Sequence, residues 1–223
     1  MSRDKVGIQE VLDKQDAHAL NQVAFELPSR LIAKIYLFRT IFRGSGYSFA
    51  NDPAFMHVST SSKYWDGVGE KFYSKYNGID RCHKAWADIV MRGEPIVGPL
   101  GREWVFNTRD KRGEIFIPWT TLTNYPVQGT GADIVALARV IFRKRLNSLG
   151  LPVLLVSTVH DSIVCDSPPE HVQSVVNLFH QVFEDLIPNI RKLWGYDWIV
   201  PMTCETFVGL NEKDTVQVER TDK

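Results

Sequence analysis

Three short segments carry residues whose types and spacing could do chemistry. In RLIAKIYLFRTIFRG, Arg30, Lys34, Phe38 and Phe42 recur every fourth position. On a helix that spacing lays them along one slowly drifting face. Two cations followed by two rings suit a nucleotide: the arginine fork and the lysine charge take phosphate oxygens, and the rings stack on sugar and base. An ordinary amphipathic helix produces the same spacing, so the pattern alone decides little. In VHDSIVCD, His160 and Asp161 lie between β-branched runs. An aspartate at the tip of two apolar strands is held rigidly, as a metal ligand must be. Mg²⁺ takes one or two carboxylates and completes its shell with phosphate and water. Asp161 is equally explained as a turn residue. In NYPVQGTGADI, Asn124 and Gln128 stand four residues apart. Their amides suit the minor-groove acceptors shared by all base pairs, and the small residues that follow allow close approach. Helix-start chemistry accounts for the same residues.

These residues need elements to hold them. Lys5–Leu27 reads as mixed helical sequence. Pro28-Ser29 then predicts a helix running to about Arg43, with the proline in its first turn and Gly44-Ser45-Gly46 at its end. Asn51–Ser62 reads as a loop, and Tyr64–Tyr76 and Ile79–Arg92 as helices with aromatic stripes. Glu103–Phe106 and Glu114–Ile117 are short strand-like runs between turn signals. The character changes near Asn124. Helical spacing runs from Gln128 to about Leu146, and Val153–Val159 and Ser162–Cys165 form a hairpin turning at His160-Asp161. An amphipathic helix from His171 to about Ile187 ends or kinks at Pro188, and Trp198–Leu210 reads as a last strand. Helices first, then strand, strand, helix and strand, make an α+β chain with an antiparallel sheet.

Composition bounds the function classes. At 44% hydrophobic and 11% aromatic, the 223 residues are those of a folded globular protein. No apolar run reaches the ~18 residues of a membrane span, and MSRDKVGIQEV has no apolar core of a secretion signal. Cys82, Cys165 and Cys204 have no metal-ligand spacing, which fits a reducing, cytoplasmic compartment. The 26 basic and 26 acidic residues cancel. Arg30, Lys34, Arg39 and Arg43, however, stand without an acid between positions 30 and 50, the pattern of a local polyanion site.

Taken together and in this order, the segments resemble the family A DNA polymerases, those related to bacterial DNA polymerase I and to replicative polymerases of short-tailed phages. RLIAKIYLFRTIFRG resembles the family's nucleotide-binding motif B, NYPVQGTGADI its QGT segment, and VHDSIVCD its motif C. Asp16-Ala17-His18 resembles the DIH tripeptide ahead of motif B. The likeness runs from Ser2 to about Leu210, and the last dozen residues match no part of it. The resemblance implies a helical fingers subdomain over residues 1–123, the C-terminal part of an antiparallel palm over 124–210, and a tail over 211–223. It implies that His18, Arg30 and Lys34 grip the triphosphate, that Phe38 packs on the sugar, and that Phe42 stacks at the templating pair. Asn124, Gln128 and Tyr47 would contact primer–template DNA. Asp161 would bind two catalytic Mg²⁺ ions and His160 would support the primer end. Asp161, Lys34 and His160 would thus be the catalytic residues.

The sequence also departs from the pattern. No segment resembles motif A, which carries the family's other metal-binding aspartate, and one carboxylate does not hold two ions ~4 Å apart. The thumb and first palm strand are likewise not found. The resemblance therefore implies a divided polymerase, active with dNTPs and primer–template once joined to an N-terminal fragment carrying motif A and the thumb. The expected interface is above roughly 2,000 Å². Ser162 stands where the family has Glu, a form shared with phage-type single-subunit RNA polymerases, which is one competing reading. A catalytically inactive DNA-binding or structural subunit is another. Phe42-Arg43 replaces Tyr-Gly, and threonine-rich WTTLT precedes Asn124 where relatives carry DNA-contacting arginines.

Overall fold

A computed structural model describes residues 1–221 of the chain; the last two residues of the expected tail, 222 and 223, lie outside them. The chain divides into two compact units, Met1–Val127 and the part from Gln128 onward.

The first unit is mostly helical: α1 (Lys5–Leu12), α2 (Ala17–Ala24), α3 (Arg30–Thr40), α4 (Gly46–Ala50), α5 (Pro53–Met56), α6 (Ser62–Lys75) and α7 (Asn77–Met91). Side chains start these helices where the sequence offers caps. The Ser29 hydroxyl accepts the Ile32 N–H at 3.2 Å, so α3 begins one residue after the cap and Pro28 lies outside its first turn. Pro53 is the proline that does occupy a first turn. With Asp52 capping the Ala54 N–H at 2.8 Å, it makes a short helix where the sequence reads as loop. That helix buries Phe55 against Phe49 and Trp65. Tyr36 of α3, 0% exposed, stacks on Trp65 at 5.6 Å and completes the aromatic core. Strands β1 (Ile96–Val97) and β2 (Glu103–Trp104) form a short antiparallel ladder. Glu114–Ile117 is not a strand; it touches the chain before it through one bridge, Arg109 with Ile115.

Helix α8 (Trp119–Leu149) starts nine residues earlier than Gln128 and contains Pro126. The cause lies in WTTLT. Leu122 and Thr123 are fully buried, and the Thr123 hydroxyl donates to the Trp119 carbonyl at 2.9 Å. Burial of this first turn and its internal hydrogen bonds outweigh the missing proline N–H.

The end of α3 is fixed by an arginine in an unusual backbone. Arg43 has φ of 61°, in the left-handed region that favours glycine. Its Nη2 donates to Asp80 Oδ1 at 2.6 Å and its Nε to His83 Nδ1 at 3.2 Å. The guanidinium lies 4.2 Å from the Tyr73 ring centroid and 5.0 Å from that of Trp119. These contacts offset a backbone cost of roughly 1–2 kcal/mol.

In the second unit the later part of α8 packs Ala138, Phe142 and Leu146 against α9 (Val172–Trp194) and a hairpin of β3 (Leu154–Val159) and β4 (Ser162–Asp166). Helix α9 runs through Pro188 and ends only at Gly195, φ 67°, because Leu186 and Ile190 on either side are both fully buried. The expected long last strand shrinks to β5 (Phe207–Gly209). Its partner, β6 (Thr215–Gln217), comes from the expected tail. Asn211 turns the chain back by accepting the N–H groups of Lys213 and Asp214 at 2.9 and 2.8 Å. Asn177 on α9 then accepts the Thr221 N–H at 3.1 Å. The antiparallel pairing is therefore present as separate two-stranded ladders, and the α+β class stands.

His83 accepts a bond from Arg43 only while neutral. Burial, and then the Arg43 charge, depress its pKa from 6.5 to about 4. The unfolded chain therefore binds the extra proton first as pH falls. The contribution is whole above about pH 6.5 and is lost as pH drops through about 4. Between pH 7 and 5 this group should lower stability by on the order of 2 kcal/mol. Urea unfolding of His83→Gln at both pH values should show a flatter dependence than the parent; an unchanged slope would contradict the assignment.

Candidate functional site

Helix α3 sorts its residues by side. Ile32, Ala33, Tyr36 and Thr40 are buried, whereas Arg30, Lys34 and Phe38 are exposed, as a 3.6-residue period requires. Phe38 is 55% exposed. The half-buried His18 ring on α2 lies 5.9 Å from Phe38, so three cation-capable side chains and a ring gather along α2 and α3. Phe42 falls outside this row. The helix ends at Thr40, and Phe42 sits half-buried in the turn between the cap Ile41 and the left-handed Arg43.

The charge of this segment is smaller than the sequence implies. Asp52 pairs with Arg39 at 2.5 Å, Asp80 with Arg43 at 2.6 Å, and Asp16 with Arg30 at 2.6 Å. Lys34 alone of the four makes no ion pair among the described residues. Arg39 and Arg43 thus serve the fold, Arg30 is exposed but paired, and the unpaired excess contracts to Lys34. The bond from Arg30, with the N–H of Ala19 next, holds the Asp16 carboxyl down at about 2.

Tyr47 on α4 is 71% exposed. Asn124, half-buried, and Gln128, exposed, lie one turn apart on α8.

In the second unit His160 and Asp161 form the two-residue turn between β3 and β4, with Val159 opposite Ser162. Both are exposed. His160 has φ of 52°, so the turn is built on a strained non-glycine residue. The Ser162 hydroxyl donates to the Val159 carbonyl at 2.9 Å and closes the turn. Ser162 therefore spends its hydroxyl on the hairpin. The hairpin also leans on α8, where Arg139 donates to the Thr158 hydroxyl and Arg143 to the Val153 carbonyl, each at 3.4 Å. Val156 is the extra residue of a bulge, and Leu154, Val156 and Val159 all face water.

The exposed Asp161 carboxylate is a hard oxygen donor of the kind Mg²⁺ uses. Among the described residues no group of three or more His, Cys, Asp or Glu side chains stands close enough to hold a metal ion. Asp161 thus fits as one ligand, with the remaining oxygens coming from phosphate, water or a carboxylate outside this set. No helix of the described residues is long and apolar enough to cross a membrane.

An α+β chain with helices carrying a basic–aromatic row and a hairpin presenting an aspartate has the fold of a polymerase domain. The POL domain of Pol1 from M. smegmatis, solved in complex with DNA primer-template and dNTP, superposes with a TM-score of 0.73 over 90% of this chain and 35% of that one, at 18% identity. Residues 2–214 match the family model of DNA polymerase family A, and the chain belongs to that family. DNA polymerase I of Aquifex aeolicus is 30% identical over 115 residues, half of this chain and 18% of that protein. The DNA polymerase of Bacillus phage SP01 is 30% identical over 99 residues, 44% of this chain and 11% of its own length. DNA polymerase I of Deinococcus radiodurans is 24% identical over 206 residues, 88% of this chain and 19% of that protein. The chain thus spans about a fifth or less of these relatives.

The sequence singles out Asp16 only as the neighbour of His18. An aspartate just before a helix does signal a cap. Its second bond, to an arginine fourteen residues on, has no local signature.

Strain at His160 gives the hairpin a testable asymmetry. Glycine there removes the left-handed cost but adds unfolded-state freedom of similar size, so His160→Gly should change stability by less than about 1 kcal/mol. A β-branched residue keeps the cost and adds crowding, so His160→Val should lose about 1–2 kcal/mol in chemical unfolding. Equal stability of the two variants would contradict a left-handed turn.

Proposed function

We propose that this chain supplies the nucleotide-gripping and part of the metal-binding machinery of a DNA-directed DNA polymerase. The observation that carries the reading is the outward row Arg30, Lys34 and Phe38 on α3, beside His18, with the opposite side of the helix buried. Side chains one turn apart stand ~5–6 Å apart, a reach that suits neighbouring phosphates of a triphosphate. Arg30, Lys34 and His18 hold the incoming dNTP by its phosphates, Phe38 lies against the sugar, and Phe42 packs where the new base pair forms. Asn124, Gln128 and Tyr47 address primer–template DNA. His160 supports the primer end beside Asp161.

Asp161 would hold Mg²⁺ together with phosphate oxygens. Bound magnesium supplies stabilisation of the attacking primer 3′ oxygen and of the leaving pyrophosphate in the in-line transfer. Two such ions need a second carboxylate, which in this reading comes from a segment carrying motif A outside these 223 residues. That segment, with the thumb, would be an N-terminal polymerase fragment, and the two would form a heterodimer in the cytoplasm. The division into fingers over 1–123 and palm over 124–210 belongs to the same reading. Support for docking comes from the water-facing Leu154, Val156 and Val159 on the hairpin and from strands with unpaired edges.

The test is templated dNTP incorporation on a primer–template by the chain mixed with a fragment carrying motif A. The mixture should extend the primer, and Asp161→Ala should cut the rate by roughly a hundredfold or more, the loss of several kcal/mol of charge stabilisation. Extension that survives Asp161→Ala would remove the metal assignment. Retained primer–template binding with no extension by any motif A fragment would make the chain an inactive DNA-binding subunit.

A further inference from the structure

The carboxylate of Asp16 does two separate things. Its Oδ1 accepts the N–H groups of His18 and Ala19 at 3.0 and 3.1 Å and so caps α2. Its Oδ2 accepts the Nε–H of Arg30 at 2.6 Å. One side chain therefore joins the start of the helix that carries His18 to the first residue of the helix that carries Arg30, Lys34 and Phe38.

The bond uses only the Nε of the guanidinium. Both Nη groups make no hydrogen bond among the described residues, so the outer fork of Arg30 stays available to an oxyanion. The pair itself adds little to folding. Its side chains are 55% and 44% exposed, and pairs so open to water contribute little to stability. A long, exposed arginine left alone would sample many rotamers, each of which must be given up when a ligand binds. An anchor at Nε removes that freedom beforehand while leaving the two donors that recognise phosphate.

We propose that Asp16 is a positioning residue for phosphate recognition: it presets the Arg30 fork and its spacing from His18 for the triphosphate of an incoming nucleotide. The inference rests on the nucleotide-gripping reading of α3. Asp16 brings a negative charge near the phosphates, which opposes binding. The geometry favours orientation over competition because the carboxylate occupies Nε and not the fork.

Asparagine caps a helix about as well as aspartate, so Asp16→Asn keeps the cap of α2 and removes the charged anchor. Binding of radiolabelled dATP to the whole chain in the presence of Mg²⁺ can be measured by equilibrium dialysis, with thermal unfolding alongside. Asp16→Asn should unfold close to the parent yet bind dATP more weakly, on the order of five- to tenfold, about 1 kcal/mol. Asp16→Ala should lose both thermal stability and binding. In an Arg30→Ala background Asp16→Asn should change binding by less than about twofold, since the fork it orients is gone.

Parent-like or tighter binding by Asp16→Asn overturns the proposal. So does an equal loss with and without Arg30, which would mark a merely structural role. Lys34→Ala separates this from failure of the underlying reading. If both Lys34→Ala and Arg30→Ala bind dATP as the parent does, the nucleotide helix itself is wrong. If they weaken binding and Asp16→Asn does not, only the role of Asp16 falls.

Discussion

Tyr36 sits between Phe49 and Trp65, at ring-centroid distances of 4.9 and 5.6 Å, with none of its surface exposed. That packing decides how α3 is rotated about its axis. A residue two positions from Tyr36 in either direction projects about 160° away from it, given 100° per residue, and two turns of the same face bring Arg30, Lys34 and Phe38 into water together. Rotating the helix to bury any of the three would expose a tyrosine and force a charge or the neighbouring polar side chains into an aromatic core. The outward row is thus a consequence of the inward one. The direction of Arg30, Lys34 and Phe38 is specified by aromatic residues on the opposite side of the helix.

The basic residues of the same segment show how a fold divides a local charge excess. Arg39 lies 4.7 Å from the Phe49 ring and pairs with Asp52, while Arg43 is enclosed by Asp80, His83, Tyr73 and Trp119. Both guanidiniums reinforce the aromatic core and the helix end. At Arg43 this commitment is strong enough to hold a left-handed backbone at the position where the family pattern has glycine. The left-handed turn at Arg43 is locked by side-chain contacts instead of being freely adopted, as a glycine would allow.

What the sequence made legible follows the range of the interactions. The row on α3, the hairpin turning at His160-Asp161, and the helices α6 and α7 arise from periodicity and turn residues a few positions apart, and these were readable. Partners far along the chain were not. Asp80 neutralises Arg43 from thirty-seven residues away, and Asn177 holds Thr221 from forty-four. Neither has a local pattern, which is why the segment from Arg30 to Arg43 reads as more positive than it is, and why the chain after Leu210 reads as a tail although it returns as β6. Misplaced helix ends share another cause. Trp119–Thr123 and the turn after Pro188 are helical because their apolar residues are buried, and tertiary burial overrides the proline and threonine signals.

The hairpin shows a different balance. Among the described residues no group of three or more His, Cys, Asp or Glu side chains includes Asp161, and the serine beside it is tied to the Val159 carbonyl. A second acid at position 162 would have stood next to Asp161, and like charges that close raise each other's cost of ionisation unless a cation lies between them. With a serine there, the exposed turn carries no second acid, and the hydroxyl stiffens the turn that presents Asp161. The turn that carries this carboxylate is held by the hairpin and by α8, whose Arg139 reaches Thr158 in β3 and whose Arg143 reaches Val153 just before it. The hairpin and α8 together therefore decide where the turn that carries Asp161 stands.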